Sequence, residues 1–182
     1  MLLNHGLPTS FEFEGHEYSF NLSFDRVLDV IEVKEDSDLT YEDKMDVIFE
    51  ALQIQCDFKD RERILNHVFD EFIVPKSEEH IEYDLKGNVM PKRENPEEES
   101  TLSFTQDAGL IYASFRQAYN INLFNEYDNL HWFEFIELLN GLPESTALSQ
   151  VRHIRSWKPS KGDTAEYRNK MLSLKEQFRI IK

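Results

Sequence analysis

FTQDAGLIYASFRQAYNINLFNEYDNLHWFEFIELLNGLPESTALSQVRHIRSW, residues Phe104 to Trp157, holds three helices in close order. Ala108, Ile111, Tyr112, Phe115 and Ala118 recur at the three-four spacing of one helical face, with Thr105 placed to cap and Asp107 in the first turn, where negative charge suits the helix dipole. From about Leu130 to Leu139 the chain is apolar almost all round: Trp132, Phe133, Phe135, Ile136, Leu138 and Leu139 leave Glu134 and Glu137 as a wet stripe. Such a helix is either the centre of the core or a surface that a partner covers. Asn140-Gly141 and Pro143 stop it, with Gly141 expected in the left-handed C-cap conformation. The third helix begins near Ser145, carries Leu148, Val151 and Ile154 at steps of three, and puts Arg152 and Arg155 on its flank.

Before this region, Phe11 to Leu22 alternates at period two around Glu14-Gly15, which predicts a β-hairpin whose apolar face lies on the helices that follow. Ser23 is placed to cap a helix with Phe24, Val27, Leu28 and Ile31 inward. Thr40 to Asp43 has capping-box spacing and opens a helix with Met45, Ile48 and Leu52. A third runs from about Phe58 to Ile73 on Ile64, Leu65, Val68, Phe69 and Phe72, and Pro75 ends it. Lys76 to Ser100 then carries eight acidic residues and two prolines, the mark of a solvated connector or of a segment that orders on a partner, with a short hairpin around Gly87.

Beyond Trp157, the run Lys158-Pro159-Ser160-Lys161-Gly162 reads as a hinge. Asp163 to Glu166, again at capping-box spacing, opens a last helix with Tyr167, Met171, Leu174 and Phe178 on one side and Arg168, Lys170, Lys175 and Arg179 opposite. It can fold back on the body, swap to another copy or bind a client helix. The fold class is thus mainly α: a hairpin plus three helices (1–75), an acidic linker (76–101), a three-helix region (102–157) and a basic amphipathic helix (158–182), expected to form one compact unit.

The chain has 182 residues, 40% hydrophobic and 13% aromatic, enough to bury roughly 70% of its unfolded surface. Its 35 acidic and 20 basic residues give a net charge of −15, which argues against nucleic-acid or anionic-membrane binding. The sign is not uniform. From Val151 onward there are nine Lys or Arg and three Asp or Glu, so a positive tail follows a negative body. One cysteine, Cys56, cannot form an internal disulfide, which fits a reducing cytoplasm, and a buried hydrophobe is its expected role. No signal-like N-terminus or run of about 20 apolar residues is present, so no membrane partner is expected.

Catalytic patterns are missing from the sequence: it has no phosphate-cradling glycine loop, HExxH, paired CxxC or GxSxG. The histidines His5, His16, His67, His80, His131 and His153 are scattered, and His131, beside Trp132, reads as a core-edge residue satisfying a backbone group rather than as a general base. No enzyme activity, metal or cofactor is therefore expected. The candidate functional residues are partner-binding ones: Trp132, Phe133, Ile136, Arg152, Arg155 and Trp157. For the aromatic pair, core packing is the competing reading; for the two arginines, it is pairing within the acidic body.

DAGLIYASFRQAYNINL, LHWFEFIELLNGLPEST and VRHIRSW, together with the N-terminal LPTSFEFEGHEYSFNLSFDRVL, resemble the siphophage family of bacteriophage gene-product-fifteen proteins, over roughly Leu7 to Trp157. The resemblance implies a non-catalytic tail-assembly chaperone, encoded between the tail-tube and tape-measure genes. Such a protein would hold the tape-measure protein soluble while tail-tube protein is recruited, acting in the host cytoplasm, absent from the mature virion, with homo-oligomers an open question. Two other readings compete: an acidic DNA mimic that blocks a host DNA enzyme, and a structural tail or neck component of the virion.

Overall fold

The computed structural model describes residues 4–74 and 100–181. The connector with its short hairpin and the stop at Pro75 lie outside the described residues. Within them the chain is mainly α, opening on a two-stranded hairpin.

Strands β1 (Ser10–Phe13) and β2 (His16–Ser19) pair antiparallel with Phe13 opposite His16 and Phe11 opposite Tyr18. Glu14 and Gly15 both take positive φ, 50° and 80°, so the two-residue turn has the twist that the strands need. Phe11 stacks on Tyr18 at 5.5 Å and meets Phe20 edge-on at 5.2 Å. This aromatic face closes on His67, 5.3 Å from Phe13, and on Phe72, 5.0 Å from Phe20.

Helices α1 (Phe24–Glu35) and α2 (Tyr41–Ala51) pack side by side. The inward face of α1 is Phe24, Val27 and Val30; Leu28 and Ile31, expected inside, are half-buried at its margin. Thr40 caps α2 as the sequence predicts, accepting the Asp43 N–H at 3.2 Å. Ser23, by contrast, caps nothing with its side chain: its Oγ is buried without a partner. After a 3-10 turn (Phe58–Asp60) comes α3 (Arg61–Val68), which widens into a π-helical turn (Phe69–Ile73). The wider turn lets Phe69 and Ile73 face the core while Phe72 reaches the hairpin.

The second half contributes α4 (Ala108–Tyr119), α5 (Trp132–Asn140), α6 (Ala147–Ser156) and α7 (Ala165–Gln177), with a 3-10 turn (Leu123–Asn125) between α4 and α5. Phe135 of α5 is the centre of an aromatic layer, with Phe24 stacked at 5.0 Å, Phe115 at 5.3 Å and Trp132 at 5.6 Å. One cluster of buried side chains runs from Phe11 to Leu148, so both halves share a core.

Several local expectations need correction. Gly141 has φ −82° and is not left-handed; the tight packing there is steric, because an added Cβ would meet Glu137 O at 3.2 Å and Tyr119 Oη at 3.3 Å. The left-handed cap belongs to Asn120, at the end of α4. Thr105 is no cap, since Asp107 occupies that position, and Ala108 is exposed. Glu134 is engaged in the cap of α5 and is not simply a wet stripe. For α7 the cap is Thr164, one residue later than the Asp163 spacing suggested, accepting the Tyr167 N–H at 3.2 Å. Helix α7 folds back on α6, burying Met171.

Candidate interaction surfaces

The start of α5 is the joint between the two halves. Trp132 N–H donates to Leu22 O at 2.7 Å and Phe24 N–H to Leu130 O at 2.9 Å, which ties the end of the hairpin region to the α5 entry by backbone pairing. The Trp132 ring is buried, and its Nε1–H donates to Ile73 O, a carbonyl presented by the π turn, at 3.0 Å. His131 caps α5. Its Nδ1 accepts the Phe133 N–H at 3.1 Å and its Nε2 lies 3.2 Å from Pro8 O, contacts that together assign the neutral Nε2–H tautomer. Glu134 completes the box by accepting the His131 N–H at 3.3 Å. Burial pushes the His131 pKa down, and the Pro8 carbonyl and Glu134 carboxylate oppose that shift. The sequence reading of His131 as a residue that satisfies backbone groups therefore holds.

Arg155 is the second joint. Its side chain is 9% exposed and that of Asp107 3%, and the two pair in bidentate fashion at 2.5 and 2.8 Å. The same guanidinium donates through Nε to Phe178 O at 2.6 Å and through a terminal nitrogen to Thr101 O at 3.0 Å. Asp107 also accepts the Ser103 N–H at 3.0 Å. One side chain thus gathers the segment before α4, the start of α4, α6 and the end of α7. Gln106 adds a reciprocal pair with the backbone of Ile181.

The six candidate residues have different neighbours. Trp132 serves the π turn and the aromatic layer, and Arg155 the docking of α7. Phe133 and Ile136 are half-buried along α5 and pack against the core. Arg152 is half-buried on α6, and Trp157 meets Tyr167 edge-on at 6.0 Å across the hinge.

Two surface features were not singled out from the sequence. Phe124 is 64% exposed and Tyr127 49%, and they form a continuous row with Tyr112: Tyr112 to Phe124 is 5.1 Å and Phe124 to Tyr127 is 6.0 Å between ring centres. Tyr127 leans on the buried Phe24 at 5.9 Å, so the row continues the aromatic layer outward. The second feature is an open cleft of about 190 Å³ lined by Tyr41, Met45, Phe58 and Arg61 among others, in which the Arg61 guanidinium lies against the Phe49 and Phe58 rings and pairs with Asp46. The signal for the first was two ring residues in an asparagine-bearing turn, where neither helical nor strand period applies.

Among the described residues no group of three His, Cys, Asp or Glu could hold a metal ion, and no helix is long and apolar enough to cross a membrane. The Cys56 thiol is half-buried, and burial pushes its pKa up, away from that of a nucleophile. A family model described as Bacteriophage Gp15 protein matches residues 3–180. No curated protein and no solved structure matches the chain.

Proposed function

The chain belongs to the bacteriophage Gp15 protein family, and from that premise we propose that it is a non-catalytic tail-assembly chaperone. In this reading it binds the tape-measure protein in the host cytoplasm, keeps it soluble while tail-tube protein assembles around it, and leaves before the virion is complete. The observation that carries the reading is the family match over residues 3–180. A helical body with exposed aromatic rings and a net charge of −15 supports it. A tape measure is a long helix with repeated apolar residues, which aggregates unless covered. An adaptor that offers rings to such a stripe works by helix-in-groove contact, and surplus negative charge keeps a crowded complex dispersed.

Co-expression with the long helical product of the neighbouring reading frame tests this: the tape measure should move from the pellet to the soluble fraction. An unchanged pellet refutes the chaperone reading. Mass spectrometry of purified particles separates a chaperone from a tail or neck component, because only the latter is present in stoichiometric amounts.

A further inference from the structure

The row Tyr112, Phe124 and Tyr127 differs from scattered exposed apolar side chains, which are ordinary on any protein surface. Its rings touch one another, and Tyr127 is braced from below by Phe24. The two centre-to-centre steps, 5.1 and 6.0 Å, are each close to the pitch of a helix, about 5.4 Å. The charge around the row is mainly negative. Asp128 follows Tyr127 directly, its N–H donating to Asp25 at 3.1 Å, and Asp29 lies one turn further along α1. Glu126 belongs to the same turn as the rings. Burial and then the neighbouring charges of Asp25 and Glu32 push the Asp29 pKa up, against the opposing pull of Arg26. Two arginines adjoin this face, and both are engaged: Arg26 pairs with Asp128 at 2.6 Å, and Arg116 donates to Asn120 O at 3.1 Å. The cleft at Tyr41 and Phe58 differs in that two cations, Lys59 and Arg61, belong to its lining, Arg61 pairing with Asp46 and Lys59 lying 3.8 Å from Asp57.

We propose that the Tyr112, Phe124 and Tyr127 row is the docking surface for a cationic amphipathic helix, whose apolar side chains lie on the rings and whose Lys or Arg residues lie over Asp25, Asp29, Glu126 and Asp128. Rings supply the contact area, since aromatic side chains dominate interface energetics, and the carboxylates select the sign of the partner. The inference rests on the chaperone reading for the identity of the partner, a cationic stretch of the tape measure, and on the surface alone for its chemistry.

The test uses the full chain and two labelled helical peptides of roughly 18 residues, about five turns. Both carry leucine along one face; the other face is lysine in one and glutamate in the other. By fluorescence anisotropy the lysine peptide should bind at least tenfold more tightly than the glutamate peptide. Phe124→Ala, which leaves the core intact because the ring is mostly exposed, should weaken lysine-peptide binding at least fivefold with unchanged circular dichroism. A Tyr41→Ala, Phe58→Ala double variant should bind like the wild type. Equal binding of the two peptides, no binding of either, or indifference to Phe124→Ala overturns the proposal. Co-expression with the tape measure separates the two levels. If wild type and Phe124→Ala solubilise it equally, the surface is wrong and the function stands; if wild type fails, the function is wrong whatever the peptides show.

Discussion

Arg155→Ala should destabilise this protein more than any other change to an arginine described above. The guanidinium uses Nε and both terminal nitrogens on Asp107, Phe178 O and Thr101 O. Truncation leaves the Asp107 carboxylate, 3% exposed, with the Ser103 N–H as its remaining partner. Breaking one side of a buried, hydrogen-bonded pair costs about 3–5 kcal/mol, against about 5–15 kcal/mol for a whole domain. Urea unfolding followed by circular dichroism gives the loss, provided the slope with denaturant is unchanged. The pair also holds α7, so trypsin should cut the variant faster after Lys161, between α6 and α7. Asp107→Ala should cost a similar amount. The double variant should cost clearly less than both singles together, with a coupling of about 2 kcal/mol, because each single removes the same interaction. An Arg155→Ala protein within about 1 kcal/mol of wild type, with unchanged cleavage, would refute the role given to this pair.

Two further outcomes follow from local geometry. His131 is held neutral, with its folded pKa below the ordinary 6.5, so the native state binds fewer protons than the unfolded chain at acid pH. Its contribution is whole above about pH 6.5 and is lost as pH falls towards the depressed folded value. His131→Asn keeps a cap acceptor that does not titrate, so between pH 8 and pH 5 it should lose less stability than wild type in urea melts; equal losses would contradict the assignment. Gly141→Ala should cost about 1 kcal/mol by crowding Tyr119 Oη and Glu137 O, and the cost should shrink in a Tyr119→Phe background. A stabilising Gly141→Ala, measured by thermal unfolding, would show that the reduced freedom of the unfolded chain outweighs the contact.

Much of the fold could be read from spacing. Alternation around Glu14-Gly15 specified the hairpin, since side-chain period and a turn with positive φ agree there. The near-continuous apolar surface of α5 offered the core or a partner, and the aromatic layer around Phe135 resolves it towards the core for Trp132, Phe135 and Leu139. Arg155 was harder. Its pairing within the chain was one of the two readings, yet a flanking arginine gives no sign of which carboxylate it meets, and Asp107 lies 48 residues away. The cap of α5 carries no serine, threonine or aspartate signal, because the acceptor is an imidazole nitrogen of His131, which does the same work less often. Glycine beside asparagine at the end of α5 suggested a left-handed cap; the actual demand comes from Glu137 O and from Tyr119, whose hydroxyl donates to Leu138 O at 2.8 Å, which together make the space for a methyl group tight. Phe124 and Tyr127 belong to no periodic segment, so nothing in the sequence could say which way their rings point.

The tether between the first and second halves also constrains synthesis. Because Leu22, Phe24 and Ile73 find their partners at Leu130 and Trp132, the leading half leaves the ribosome with a greasy slot gaping and two carbonyls and an N–H without those partners. Translation at about 5–20 residues per second keeps it in that unfinished condition for several seconds, until the tryptophan emerges and plugs the gap. The leading half would thus need sheltering of its own, early in the chain's production.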